Sequence, residues 1–66
     1  MRRELKPVRI VIELSDAQAW AFAQLLKRAT LDDYRSHAVN QDEAYEMSAA
    51  GEVIRQALAQ VGYAPR

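Results

Sequence analysis

Residue types that commonly stabilise very small proteins are missing from this sequence. The 66 residues include no cysteine and only one histidine, which excludes disulfides and argues against a structural zinc site. No apolar run approaches the roughly 18 residues of a membrane span, and the N-terminus lacks the apolar region of a signal peptide. We therefore expect a single small domain over residues 1–66 of a cytoplasmic protein, with residues 1–6 flexible.

Side chains that carry catalysis or bind cofactors are scarce as well. The two glycines, Gly51 and Gly62, form no phosphate-binding loop, and His37 has no second histidine to work with. The acidic pairs at 32–33 and 42–43 could hold a hard cation, but their places at helix starts explain them better. We expect no enzyme activity, metal, cofactor or small-molecule ligand.

Charge is balanced overall but unevenly distributed along the chain. Residues 1–28 carry six basic and three acidic side chains, net +3, whereas residues 29–52 carry one basic and six acidic side chains, net −5. A basic face on the first segment would suit a nucleic acid, and the acidic middle segment would repel phosphate.

The stretch KPVRIVIEL, residues 6–14, alternates between two kinds of side chain. This period of two, with many β-branched residues, predicts a half-buried strand, and Pro7 suits its first position. One face would carry Val8, Ile10, Ile12 and Leu14, and the other Arg9, Val11 and Glu13.

Three helix starts follow, each with a side chain that can cap the first backbone N–H groups. Ser15 and Thr30 begin capping-box patterns, and Asn40 is followed by Glu43 at the third helical position. Gly62 and the following proline predict a sharp end. These signals predict helices at about 16–29, 31–38 and 41–61.

The expected fold class is therefore α+β, with one N-terminal strand followed by three helices, of which the middle one is short. A single strand has no partner within the chain, and its backbone groups must pair somewhere. We predict antiparallel pairing with the same strand of a second copy across a homodimer.

Trp20 lies away from the apolar stripe of its own helix, which contains Ala19, Phe22 and Leu26. The third helix has an apolar stripe with Gly51 beside it, and a mid-helix glycine often has a packing reason. The stripe consists of Met47, Ala50, Ile54, Ala57, Leu58 and Val61. We predict that Trp20 is mostly buried against Ala50 and Gly51 of the third helix or of its dimer mate, with an exposed anchor for another protein as the alternative. The residues expected to pack in the core or dimer are Ile10, Ile12, Trp20, Phe22, Gly51 and Ile54.

A strand followed by helices, paired across a dimer, resembles the ribbon-helix-helix regulators. In that family the outward-facing strand residues enter the major groove of DNA. The resemblance implies base contacts by Arg9, Val11 and Glu13, and phosphate contacts by Arg2, Arg3 and Lys6. The sequence departs from the family because residues 30–40 intervene between the helices and the next helix begins with acids.

The stretches ELSDAQAWAFAQLLKR, DDYR, DEAY and GYAPR resemble a family of short uncharacterised proteins from proteobacterial chromosomes and mobile elements. This resemblance implies an accessory role and supplies no site residue. The sequence as a whole predicts a homodimeric regulatory or interaction module that binds a protein partner. The alternative is a DNA-binding regulator of the ribbon-helix-helix kind.

Overall fold

The computed structural model describes residues 7–66, and every regular element within this range is a helix. Helix α1 spans Asp16–Arg28, α2 spans Leu31–Arg35 and α3 spans Gln41–Gln60. The three predicted helices are thus confirmed, with α2 three residues shorter than expected. None of them is long and apolar enough to cross a membrane. The expected flexibility of residues 1–6 lies outside the described residues.

Side-chain caps begin the helices as the sequence predicts. The Ser15 hydroxyl accepts from the Gln18 N–H at 3.0 Å while the Gln18 side chain accepts from the Ser15 N–H at 2.9 Å. Thr30 and Asp33 repeat this reciprocal box at α2. At α3, Asn40 accepts from the N–H of its third helical residue. Each cap satisfies N–H groups that the helix itself leaves unpaired.

Helix α3 ends in a Schellman turn at the predicted glycine. Gly62 has a φ of 104°, in the region that L side chains rarely adopt. The Tyr63 N–H donates to the Leu58 carbonyl at 2.8 Å, and the Gly62 N–H donates to the Ala59 carbonyl at 3.1 Å. These two bonds satisfy carbonyls at the helix end and turn the chain back toward α1.

The predicted N-terminal strand is wrong, and with it the α+β class and the antiparallel strand pairing across a homodimer. Residues 7–15 form no strand or helix. Residues 7–14 make no backbone–backbone hydrogen bond with any other described residue. A period-two pattern gives a strand only where a second strand completes the hydrogen-bond ladder. Within residues 7–66 there is no such strand, and residues 7–14 have no regular secondary structure. We call these residues the extended segment.

Helix α3 is the centre of the fold, because both α1 and α2 pack against it. The side chains that are buried at these contacts are small: Ala19 and Ala23 on α1, and Ala44 on α3, together with Gly51. Small residues let helix backbones approach closely but bury little apolar area. The larger apolar side chains are therefore left partly or fully exposed.

The folded chain is thin for its size. Its extents are 37 × 28 × 16 Å and its radius of gyration is 13.1 Å. A compact domain of this length has a radius of gyration of about 11 Å. Domains usually stack two layers around a core, and a thickness of 16 Å leaves room for little more than one layer of helices.

Candidate docking groove

An open apolar groove runs between the extended segment, α1 and the C-terminal half of α3. Its volume is about 420 Å³. Every lining residue is apolar except for the hydroxyl of Tyr63. We call this surface the docking groove, and its lining consists of Ile10, Val11, Ile12, Leu14, Ala19, Phe22, Ile54, Ala57, Leu58, Val61 and Tyr63.

The side chains at the rim of the docking groove are strongly exposed. Val11 is 90% accessible to solvent, Val61 is 70% and Ile12 is 62%. Deeper in, Phe22, Ile54 and Leu58 are half-buried. Isolated exposed apolar residues are ordinary on protein surfaces, whereas a contiguous apolar patch marks an interaction surface.

The apolar surface continues from the groove across α1. A second, shallower hollow adjoins it, lined by Leu14, Gln18, Ala21, Phe22 and Leu25. Leu14 and Phe22 line both hollows, so the two hollows adjoin at these side chains. Hollows along a helix can accept the side chains of another helix.

Helix α3 contributes a regular strip to this surface. The positions alternate in steps of three and four residues, which keeps them on one helical face and matches the seam of a coiled coil. Ala50 and Ala57 are exposed, and Ile54 between them is half-buried. We call these residues the α3 strip: Met47, Ala50, Ile54, Ala57 and Val61.

The C-terminal residues close one end of the groove. Tyr63 packs edge-on against Trp20, with ring centroids 5.0 Å apart and an interplanar angle of 67°. Its hydroxyl donates to the Asp16 carboxylate at 2.7 Å, and this bond raises the pKa of Tyr63. The Lys27 ammonium also donates to the main-chain oxygen of Arg66. These contacts fasten the chain end to α1.

The structure places Trp20 elsewhere than the sequence predicted. Trp20 is 41% exposed and contacts Tyr63 rather than Gly51. Gly51 is buried beneath Tyr34 of α2, whose Cζ lies 3.2 Å from the position that a Cβ would take, and Leu26 lies at 3.5 Å. Within the chain, the prediction that Trp20 covers Ala50 and Gly51 is wrong, whereas cover of these residues on a dimer mate stays a prediction. The prediction that Gly51 serves close packing is confirmed, with a different partner.

Other residues singled out from the sequence fall into two groups. Ile10, Ile12, Phe22 and Ile54 all line the docking groove. Of the predicted DNA contacts, Arg9, Val11 and Glu13 are exposed on the extended segment. Arg2, Arg3 and Lys6 lie outside the described residues. The paired strands that would place these residues in a DNA groove do not form within residues 7–66. DNA binding therefore stays a prediction, based on the net positive charge of residues 1–28.

Two features of the site escaped the sequence reasoning. Tyr34 was not identified as the partner of Gly51, although a large side chain on α2 was available for a glycine on α3. The exposure of Ala50, Ala57 and Val61 was also missed, because the apolar spacing predicts the α3 strip as the core stripe of its helix. Alanine itself gave no signal, because Ala19, Ala23 and Ala44 are buried while Ala50 and Ala57 are exposed.

Comparison with known proteins identifies the family. Residues 1–66 match the sequence model of a protein family whose description is "family of unknown function (DUF7706)". The chain belongs to this family. The resemblance to short uncharacterised proteins is confirmed in that respect, whereas an origin in proteobacterial chromosomes and mobile elements stays a prediction. No curated protein and no solved structure matches the chain.

Among residues 7–66, no group of three or more histidine, cysteine or acidic side chains could hold a metal ion.

Proposed function

We propose that this member of the family is a protein-interaction module whose working unit is a dimer, assembled when the docking groove and the α3 strip of one copy pack against those of another. The observation that carries the proposal is the continuous apolar surface formed by the groove and the strip. This dimer is built from helices, unlike the strand-paired dimer that the sequence suggested.

The amount of exposed surface supports a second copy. The chain has 5610 Å² of accessible surface. A compact monomer of 7.5 kDa exposes about 4,200 Å². The excess of about 1,400 Å² is larger than the roughly 800 Å² that each partner contributes to a stable interface.

The shape of the molecule supports the same occupant. A second thin layer of helices laid on the groove face would give the two-layer arrangement of ordinary domains. The α3 strip is also suited to pairing with itself, because the steps between its residues alternate regularly about Ile54. An interface of this kind uses the same patch on both copies and closes with twofold symmetry.

Among residues 7–66, no side chain covers the open face of the groove, and its rim residues remain strongly exposed. Residues 1–6, MRRELK, include four charged side chains, which are poorly suited to an apolar surface. A second copy, in contrast, offers both an apolar strip and complementary charge. Its acidic residues 29–52 complement the basic residues 1–28.

Sedimentation equilibrium of the full chain tests the proposal. We expect a mass twice the 7.5 kDa of one chain, falling toward one chain on dilution. Val61→Glu and Val11→Glu each place a charge on an exposed groove residue, and each should raise the dissociation constant at least about thirtyfold, since burying a charge costs upward of 2 kcal/mol.

The matched control is Val39→Glu. Val39 is 85% exposed and lies between α2 and α3, outside the groove lining. This variant should dimerise like the unaltered chain, and circular dichroism should show the same helix content for all three variants. A wild-type chain that stays monomeric at millimolar concentration contradicts the proposal and would leave the groove to a different protein. Equal weakening by all three substitutions also contradicts it.

A further inference from the structure

We infer that the two α3 helices of the dimer run antiparallel, with Ile54 of each copy beside the twofold axis. This inference rests on the proposed dimer and goes beyond it by assigning the register. In this arrangement Ala50 of one copy lies opposite Ala57 of the other, and Met47 lies opposite Val61.

The sequence of the strip supports this register. Its five positions are spaced by three, four, three and four residues, so their midpoint is Ile54. Alanines flank Ile54 on both sides, and both are exposed. An antiparallel pair therefore matches small residues with small residues around a central isoleucine, which allows the helix backbones to approach closely.

Charge favours the antiparallel direction over the parallel one. The first turn of α3 carries Asp42 and Glu43, whereas the only charged residues after Glu52 are Arg55 and Arg66. Parallel helices would bring the two acidic first turns together, and like charges repel. Antiparallel helices place the two acidic first turns at opposite ends of the pair, and their helix dipoles then oppose each other favourably.

The position of the groove agrees with this direction. The groove lies along the C-terminal half of α3, where Ile54, Ala57 and Val61 form one wall. An antiparallel partner would lay the N-terminal half of its strip, Met47 and Ala50, along that wall.

Disulfide trapping tests the register directly, because the chain has no cysteine of its own. Ala50→Cys and Ala57→Cys are made separately, and both positions are small and exposed. An equimolar mixture, exchanged under reducing conditions and then oxidised, should form interchain disulfide between the two variants. Each variant alone should form at least about tenfold less interchain disulfide. In the antiparallel dimer the Cα atoms of its two cysteines would be offset by about 10 Å along the helices, which is beyond the usual limit for a disulfide.

The outcomes separate this inference from the proposed function. Efficient disulfide formation by each variant alone indicates parallel helices and overturns the inference while the dimer stands. A dimer in sedimentation that gives disulfide in neither the mixture nor the single variants also overturns the register. A monomer in sedimentation, measured on the same reduced samples, overturns the proposed dimer itself.

Discussion

The two sides of α3 differ in how completely the chain itself covers them. On the side of α2, Gly51 is buried under Tyr34 and Leu26. The capping box of Thr30 and Asp33 stabilises the start of α2 itself. On the groove side, Val11, Ile12 and Val61 remain largely in water. Helix α3 thus uses its small residues in two ways. Gly51 brings in a neighbour from the same chain, whereas Ala50 and Ala57 lie open for another.

The largest loss of stability should come from a bulky substitution at Gly51, on the side of α3 that the chain itself covers. Gly51→Leu adds a side chain where a Cβ alone would already crowd Tyr34. We expect the free energy of unfolding to fall by about 3 kcal/mol, the upper range for overpacking. For a chain of this length that is a large part of the total stability. Urea unfolding followed by circular dichroism measures the loss, and a change below about 0.5 kcal/mol would show that Tyr34 is free to move aside.

A milder pair of variants checks the assigned contact. Gly51→Ala improves helix propensity by about 1 kcal/mol but crowds the Tyr34 ring. Tyr34→Phe removes the hydroxyl nearest to the added methyl group. We expect Gly51→Ala to be less stable than the unaltered chain and the double variant to recover part of the loss. Additive effects of the two changes would argue against direct contact.

Trp20 allows an intermediate test at the end of the groove. It is 41% exposed and packs against Tyr63. Trp20→Ala should therefore lower the free energy of unfolding by about 2 kcal/mol, below the 3–5 kcal/mol that is typical of a fully buried aromatic residue. The unaltered protein should show tryptophan emission shifted toward that in water. A blue emission maximum together with a loss above 4 kcal/mol would place Trp20 inside a core.

The smallest effect should appear in acid, at the start of α2. The Thr30 N–H donates to the Asp33 carboxylate at 2.8 Å and the Thr30 hydroxyl donates at 3.1 Å, and these bonds lower the pKa of Asp33. Because the folded pKa lies below the ordinary 3.8, the stabilisation is present above that pH and is lost as the pH falls through the folded pKa. Thermal melts from pH 6 to pH 2 should show less acid sensitivity for Asp33→Asn. An identical profile for both proteins would contradict this assignment.

Local sequence was enough to predict three helices, the residue at which each begins and the glycine that ends α3. Ser15, Thr30 and Asn40 cap the helices at the predicted positions, and Gly62 ends α3 as expected. These features depend on atoms a few residues apart along the chain, so local sequence contains nearly all the information that they need.

The contacts that the helices and the extended segment make depend on how the helices pack, which local sequence does not specify. The alternation in residues 7–14 was real, but a strand needs a second strand that no described residue supplies. Tyr34 rather than Trp20 covers Gly51 because the directions of α1 and α2 relative to α3 decide which aromatic side chain reaches it. The exposed groove likewise follows from the way α1 and α3 pack through alanine and glycine, since such close contacts leave the larger apolar side chains outside.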